Sequence, residues 1–232
     1  MSPTLARMTD WETVSALATA GGTLVLAAAA FASIRSADRA ALSAERALQA
    51  SLRPLLIAAN LGSPEQKVIW LDGHWAKIEG QTAYVHQADE GPIYLAMPIR
   101  NVGPGLGVIH GWRIDATPLD ADPVRPPVES FHRQGRDLYL APGDTGFWHA
   151  AVREPDHPDR ELLARLVKDR ERIIVDILFG DYEGGQRTVS RFSLLPRGSD
   201  ETRWFCQSAR HWSIDRPDPR AEDRPGPSGR GR

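Results

Sequence analysis

The chain has 232 residues, of which 41% are hydrophobic and 25% are charged, and this average composition excludes wholesale disorder. The formal net charge is -2, so no global positive field favours nucleic acid as a partner. The single cysteine, Cys206, excludes an intramolecular disulfide and a zinc site built from several cysteines.

The first distinctive segment is an uncharged run over residues 13–34, which follows a short flank over residues 1–12. Eight alanines dominate the run, and a helix of its 22 residues spans the roughly 30 Å core of a bilayer. Trp11 precedes it, where aromatic side chains favour the membrane interface. These features predict a retained transmembrane helix that binds the lipid bilayer.

Two other interpretations of this run stay open in the sequence. Ala30, Phe31 and Ala32 have the small-x-small pattern that signal peptidase accepts, which would make the run a cleaved signal. Against this, Asp10 and Glu12 precede the run, where a signal peptide carries net positive charge. The third interpretation is an alanine-rich soluble helix, although such helices normally carry a charged face.

Basic residues beside the run predict its orientation. Arg7 is the only basic side chain before it, whereas four arginines follow within about 20 residues, and positive charge favours the cytoplasmic side. The four are Arg35, Arg39, Arg46 and Arg53. The asymmetry predicts a single-pass protein of the cell membrane whose large domain lies in the cytoplasm.

Residues 35–52 are rich in strong helix formers and contain neither glycine nor proline. The helix is expected to end before Pro54, because proline disfavours helix at the preceding residue. Small and apolar side chains recur at spacings of three and four, but too briefly to predict a coiled coil. The segment is therefore predicted to be a juxtamembrane helical stalk, and the oligomeric state stays undetermined.

From residue 53 to residue 214 the pattern changes to short apolar runs separated by turns, which is typical of a β domain. Asp72 and Gly73 between two apolar runs predict a hairpin. Pro98 cannot donate to a ladder, so its strand is expected to be an edge or to carry a bulge. Seven to nine strands are expected, and they are drawn from ten apolar runs, at 55–59, 68–71, 75–78, 93–100, 108–114, 138–140, 147–152, 173–179, 188–195 and 203–214.

One short helix is predicted within this β domain, over residues 158–171. Proline and acidic residues open it, basic residues close it, and one apolar stripe follows the helical period. The tail over residues 215–232 is rich in proline, glycine and arginine and has no aromatic residue. Such a composition predicts disorder.

Three turn motifs carry a resemblance to a known family. Residues 100–107 read Arg-Asn-Val-Gly-Pro-Gly-Leu-Gly, and residues 140–144 read Leu-Ala-Pro-Gly-Asp. Ile177, Phe179, Asp181 and Gly184 mark a closing hairpin. With the anchor, residues 12–214 resemble a group of uncharacterised single-pass membrane proteins of high-GC bacteria that carry an immunoglobulin-like β-sandwich domain. The resemblance implies a Greek-key sandwich and no functional residues, because turn motifs specify fold alone.

One segment departs from the family pattern, and another superficially matches a different motif. The 31 residues between Ala59 and Gly91 exceed a simple connection between the first two strands, which leaves an added hairpin open there. The run Gly103 to Gly107 superficially matches a phosphate-binding loop. A β pattern rather than a helix follows it, and Pro104 removes a backbone donor, so we expect a strand-connecting turn.

The histidines form no local metal pair, because no two of them lie two or four residues apart. His110 and Trp112 are expected to share one strand face, and His211 and Phe205 another. Most of the histidines are expected to be residues of the sandwich whose ring nitrogens are hydrogen-bonded or half-exposed to solvent. The seven are His74, His86, His110, His132, His149, His157 and His211.

Other chemistry-bearing residues give weak signals. Asp176 lies within an apolar strand and is expected to face solvent or to form a salt bridge. Ser190 and Ser193 lack the glycines of a nucleophile elbow. Trp112 is the best core candidate among six strand tryptophans, which either pack in the core or line a sugar or peptide surface.

These observations assign no catalytic, cofactor-binding or metal-ligating residue and no cofactor. The favoured function is a membrane-anchored, non-enzymatic interaction module with an unknown protein partner. The alternative is a ligand-binding or enzymatic β-sandwich that acts on a cell-wall sugar or peptide. Its site would be assembled from distant histidine, aspartate and tryptophan residues.

Overall fold

The computed structural model describes residues 4–115 and 124–218 of the chain. Contacts divide the chain into two units, Met1–Ala50 and Ser51–Arg232. The first unit is helical, and the second contains the β-strands and one further α-helix.

The N-terminal unit is one long helix, α1 (Thr4–Ser51), which covers the predicted membrane span and nearly all of the predicted stalk. The helix is long and apolar enough to cross a membrane. Its hydroxyl groups are satisfied locally: Thr19 Oγ1 donates to the Ser15 carbonyl and Thr23 Oγ1 to the Thr19 carbonyl, each at 2.8 Å. Such bonds let polar side chains lie in an apolar surrounding without an unmet donor.

The second unit has eleven strands and one α-helix among its described residues. The helix is α2 (Arg160–Lys168), and a short 3-10 turn covers Val128–Ser130. The strands are β1 (Leu56–Ala58), β2 (Gln66–Ile69), β3 (Trp75–Ile78), β4 (Thr82–Gln87), β5 (Ile93–Asn101), β6 (Gly107–Asp115), β7 (His132–Leu140), β8 (Thr145–Val152), β9 (Ile173–Gly180), β10 (Thr188–Pro196) and β11 (Arg203–Ser213).

Nine of the strands form one curled antiparallel sheet. Strand β8 pairs with β5, and β1 and β4 pair with successive parts of the other side of β5. From β4 the order continues through β11, β10, β9, β6 and β7. The β2–β3 hairpin forms a second, two-stranded sheet. The molecule is therefore mainly β, as its sequence predicts.

The curled sheet encloses the main hydrophobic core. Trp148 from β8 meets Trp112 from β6 with ring centroids 5.6 Å apart, so the two halves of the sheet face each other across this core. Phe179 and Phe192 fill it from the β9–β10 side, and Leu163 of α2 is fully buried against it. The predicted helix is thus confirmed as an amphipathic element that packs on the core.

Strand β4 and the place of Pro98 differ from expectation. Strand β4 was not predicted, because its sequence, Thr-Ala-Tyr-Val-His-Gln, contains no apolar run. This strand lies in the long connection before β5. The expectation that Pro98 lies on an edge or at a bulge is wrong, because β5 has partners on both sides and its ladder to β8 is continuous. The missing N–H of Pro98 falls between the β4 ladder, which ends at Ala96, and the β1 ladder, which begins at Ile99.

The run from Gly103 to Gly107 is a strand-connecting turn, as expected. Asn101 fixes it: its Oδ1 accepts the backbone N–H of Leu55 at 3.1 Å and of Gly103 at 3.0 Å. Its Nδ2 donates to the carbonyls of Gly105 at 2.7 Å and Leu140 at 3.0 Å. A Cβ atom at Gly105 would overlap the Leu52 carbonyl, so the backbone approach requires glycine there.

Two β-bulges overturn the predicted pairs of residues on one face. The β6 register skips His110, so His110 is exposed while Trp112 is buried, and the expectation that they share a face is wrong. A second irregularity opposite Arg191 changes the face of β11, which puts His211 and Phe205 on different faces. Of the predicted disordered tail, residues 219–232 lie outside the described residues.

Candidate functional site

The clearest cluster of chemistry-bearing side chains combines His132, His157 and Asp159. His132 begins β7, His157 lies in the connection from β8 to α2, and Asp159 immediately precedes α2. Their nitrogen and oxygen atoms that are able to bind a metal all lie within 4.8 Å of one another. The fold therefore brings an edge strand and a helix entrance together at one point.

Asp159 is held in an unusual way for its position. At the N-cap of a helix an aspartate normally accepts a backbone N–H of the first turn, yet this carboxylate makes no capping bond. Instead, Oδ2 accepts a hydrogen bond from His132 Nε2 at 2.7 Å, and the Asp159 backbone N–H donates to His157 Nδ1 at 3.2 Å. The carboxylate thus bonds His132 rather than the helix, and the backbone N–H of Asp159 bonds His157.

Trp112 forms the wall behind this cluster. Its ring is within 1° of parallel to the His157 ring, with centroids 6.0 Å apart, and it lies 4.9 Å from the His132 ring. The side chains of His132 and Asp159 keep exposed fractions of 30% and 18%. The cluster therefore has an apolar wall from the core while solvent still reaches its polar atoms.

Sequence reasoning did not include this cluster among its sites. It compared histidines only with one another, whereas His157 and Asp159 stand two residues apart beside a predicted helix start. That spacing was the one available signal. His132 lies 25 residues earlier, and only the pairing of β6 with β7 brings it to the others.

A second cluster lies beneath the β2–β3 hairpin. The His74 ring stacks on Tyr94 with centroids 3.9 Å apart, and its Nε2 lies 3.0 Å from Tyr84 Oη. Tyr94 Oη donates to Asp72 Oδ2 at 2.8 Å. Burial raises the pKa of Tyr84 to about 12, so this phenol stays neutral at physiological pH. These contacts attach the hairpin to the outer face of the main sheet.

Asp176 belongs to a buried ionic network, which confirms the salt-bridge alternative. It is fully buried and receives two hydrogen bonds of 2.8 Å from Arg191, which also bonds Asp115. Arg113 lies 3.3 Å from Asp176, and the Arg191 guanidinium covers the Trp212 ring at 5.1 Å. Burial raises the pKa of Asp176, although hydrogen bonds from Arg191 act in the opposite direction. Two arginines balance two aspartates, which is the arrangement of a structural network.

Ser190 also has a structural environment. Its buried Oγ donates to the Leu56 carbonyl at 2.8 Å, and His211 Nδ1 lies 2.7 Å from the same oxygen. A carbonyl only accepts, so the single hydroxyl proton goes to Leu56 and His211 donates to Ser190. A nucleophilic serine needs the reverse arrangement, with the histidine as acceptor. The pair therefore joins β1, β10 and β11 rather than activating the hydroxyl.

The tryptophans do not form an open platform for sugars. Trp112 is buried in the core, as expected, and Trp75 is the exposed member of the six strand tryptophans. The other four buried ones are Trp70, Trp148, Trp204 and Trp212. A groove of about 470 Å³ elsewhere is lined by residues such as Glu79 and Arg203, which pair with each other at 3.2 Å, and by no histidine or tryptophan.

One face of the β2–β3 hairpin is apolar and exposed, and we call it the hairpin face. It consists of Ile69, Leu71 and Trp75, whose exposed fractions are 57%, 84% and 53%, and it is bordered by Lys67 and Lys77. The Lys67 ammonium lies 4.9 Å from the centre of the Trp75 ring. Clustered exposed apolar side chains of this kind mark interaction surfaces.

Comparisons of the chain with protein-family models, with curated proteins and with solved structures find no match. The functional conclusion therefore depends on the geometry and charge of the described residues.

Proposed function

We propose that the chain is a single-pass membrane protein that holds a non-enzymatic, protein-binding β domain at the cytoplasmic face of the cell membrane. The observation that supports the membrane anchor is the exposed apolar surface of α1. The apolar stretch of this helix is not buried against any other part of the protein that the structure describes. Exposed apolar surface costs about 25 cal/mol per Å² in water, and lipid removes that cost. The large exposed apolar side chains of the run are Val14, Leu17, Leu24, Val25, Leu26, Phe31 and Ile34.

The charges beside the span support the proposed orientation. Four arginines follow the apolar run and one precedes it, and basic residues favour the cytoplasmic side. With this orientation, the β domain meets cytoplasmic partners, which suits a chain whose only thiol is the buried, unpaired Cys206.

The strand pairings support an immunoglobulin-like assignment of the β domain, as in the bacterial membrane proteins that its turn motifs resemble. Strand β5 pairs with β8, β6 lies between β9 and β7, and β9 pairs with β10. In an immunoglobulin-like sandwich the same pairs join strands B and E, C and F, C and C′, and F and G. Trp112 on β6 takes the place of the buried tryptophan of strand C.

The hairpin face is the proposed surface for the partner. Its apolar centre of Ile69, Leu71 and Trp75 has Lys67 on its border, so it fits a protein surface with an apolar patch and a carboxylate opposite Lys67. The other bordering lysine, Lys77, already pairs with Glu65 at 2.9 Å. Apolar contact supplies the affinity, and Lys67 selects for an acidic neighbour.

Topology is tested by fusing alkaline phosphatase or a fluorescent protein after Arg232 in a bacterial host. The proposal expects an inactive phosphatase and a fluorescent fusion. Replacing Arg35, Arg39, Arg46 and Arg53 with Gln, and adding basic residues before Trp11, should weaken or invert this result. High phosphatase activity of the unmodified fusion would place the domain outside.

The interaction surface is tested by placing a photo-crosslinking amino acid at Leu71 of the full-length protein in cells. We expect one discrete protein adduct, which Lys67→Glu weakens because it repels the carboxylates of the partner. The matched control is the same crosslinker at Tyr182, which is 57% exposed and far along the sequence. Equal adducts at both positions, or adducts with lipid alone, would contradict the proposal.

A second candidate function is favoured by one observation, the convergence of His132, His157 and Asp159 beside Trp112. It corresponds to a ligand-binding or enzymatic domain whose site is assembled from distant residues. Because the strand tryptophans other than Trp75 are buried, a sugar platform has little support. The cluster is better suited to a small ion.

A further inference from the structure

We propose that His132, His157 and Asp159 bind a divalent transition-metal ion of the zinc class. The proposal is independent of the membrane anchor and of the hairpin face. Two imidazoles and one carboxylate form a donor set that suits zinc, cobalt, nickel or ferrous iron better than calcium or magnesium, which prefer oxygen donors alone.

The distances support this assignment. Donor atoms about 2.0–2.2 Å from a tetrahedral zinc ion lie about 3.3–3.6 Å from one another. The donors here all lie within 4.8 Å, and His132 Nε2 and Asp159 Oδ2 are already 2.7 Å apart. To reach metal distances, His132 Nε2 and Asp159 Oδ2 have to move apart and the more distant donors have to move closer. On binding, the ion takes the place of the proton that these two atoms share in their hydrogen bond.

The surroundings prepare the donors for an ion. Asp159 makes no capping bond to α2, and its carboxylate bonds His132 instead. His157 Nδ1 accepts the backbone N–H of Asp159, so Nε2 is the nitrogen that His157 offers to an ion without losing this bond. Trp112 lies against both imidazole rings and restricts their orientation, because its own ring is fixed by Trp148 in the core. In metal sites, the residues around the ligands orient them.

Three protein donors leave at least one coordination position for water. The side chains of His132 and Asp159 keep exposed fractions of 30% and 18%, so the ion enters directly from solvent. Sites with three protein ligands and an open position bind zinc in proteins that use its bound water. The open position is thus the place where a small anion or a partner side chain would bind.

The test uses full-length protein in detergent micelles after removal of metal with a chelator. Isothermal titration with ZnCl₂ should give one saturable site per chain, whereas CaCl₂ and MgCl₂ should give none. His132→Gln and Asp159→Asn should each weaken the site at least tenfold, and both keep the size and polarity of the native side chains. The matched control is His110→Gln, an exposed histidine outside the cluster that should leave the affinity unchanged.

Two further readouts separate coordination from non-specific binding. Co²⁺ should give the visible absorption bands of a low-symmetry site in the native protein and not in His132→Gln. Zinc at a hundredfold excess over its Kd should raise the Tm by about 5–10 °C, because it binds the folded state alone. Absence of saturable binding, or equal loss in His110→Gln and His132→Gln, would overturn the proposal. Circular dichroism of each variant shows whether it is folded.

Discussion

Trp112 is the residue on which the core and the His132–His157–Asp159 cluster both depend. It is buried, meets Trp148 edge-on and covers both imidazole rings. We expect Trp112→Ala to lower the free energy of unfolding by about 3–5 kcal/mol, because it removes a buried indole and leaves a cavity. Urea unfolding measures this loss. Trp75→Ala, at an exposed position, should change stability by less than about 0.5 kcal/mol.

Arg191 is the residue that neutralises the buried carboxylates. Replacing it with Met leaves Asp176 and Asp115 buried without the guanidinium that bonds both, while Arg113 stays beside them. Breaking a buried pair from one side costs about 3–5 kcal/mol, and chemical unfolding should show a loss of that size. The matched control is Arg203→Met, which breaks only the exposed pair with Glu79 and should cost less than about 1 kcal/mol. Similar losses in the two variants would contradict the structural role given to the network.

His149 makes the stability of the domain depend on pH. Burial, and then the charges of Arg136 and Arg153, lower the pKa of His149 below its ordinary value of 6.5. As pH falls below 6.5, His149 becomes protonated in the unfolded chain but stays neutral in the folded chain. The free energy of unfolding therefore decreases. Urea midpoints between pH 7.5 and pH 5 should therefore fall, and His149→Gln should make the fall smaller. An unchanged slope in His149→Gln, or an equal change in His110→Gln, would contradict this account.

At the scale of elements, the turn from β5 to β6 is held by one side chain. Asn101 satisfies four backbone groups, two N–H donors and two carbonyls, from the residue before β1, the turn and the end of β7. Asn101→Ala leaves those groups without this partner, so we expect a loss of about 2–5 kcal/mol. Thermal unfolding checks the loss. Asn60→Ala, at an exposed position, serves as the control and should have little effect.

The elements show which parts of the structure a sequence can predict. Turn residues and alternating apolar side chains predicted most strands, and an apolar stripe at the helical period predicted the short helix, because these signals are local. Strand β4 gave no such signal, since only two of its six residues are apolar aliphatic. The bulge at His110 depends on contacts with β7 and β9, so no local pattern revealed that His110 and Trp112 lie on opposite faces. The same reason explains why His132 could not be joined to His157 and Asp159.

At the scale of the whole molecule, insertion into the membrane depends on the apolar run of α1, whose insertion is favoured by only a small free energy. The apolar part of α1 is rich in alanine, which contributes little to insertion, so one charge at its centre should be enough to prevent it. Leu24→Arg adds about 2.5–3.5 kcal/mol. The native protein should resist alkaline carbonate extraction, and Leu24→Arg should be released.

The control for this experiment is Ala41→Arg, which adds the same charge beyond the apolar run and should stay in the membrane fraction. Retention of Leu24→Arg to the same extent would show that the run does not hold the protein in the bilayer. Recovery of a soluble form that begins near Ser33 would indicate a cleaved signal instead.

The contact between β4 and β11 has a consequence for the time course of biosynthesis. It pairs Tyr84 with Arg203, and at about 5–20 residues per second roughly 6–24 s separate the synthesis of these two residues. During that interval the outer edge of β4 has no strand to pair with, and open edges are where nascent chains associate wrongly. Any message that stops before codon 203 would keep this edge open permanently. We therefore expect chaperones to hold the growing chain until its last strand is made.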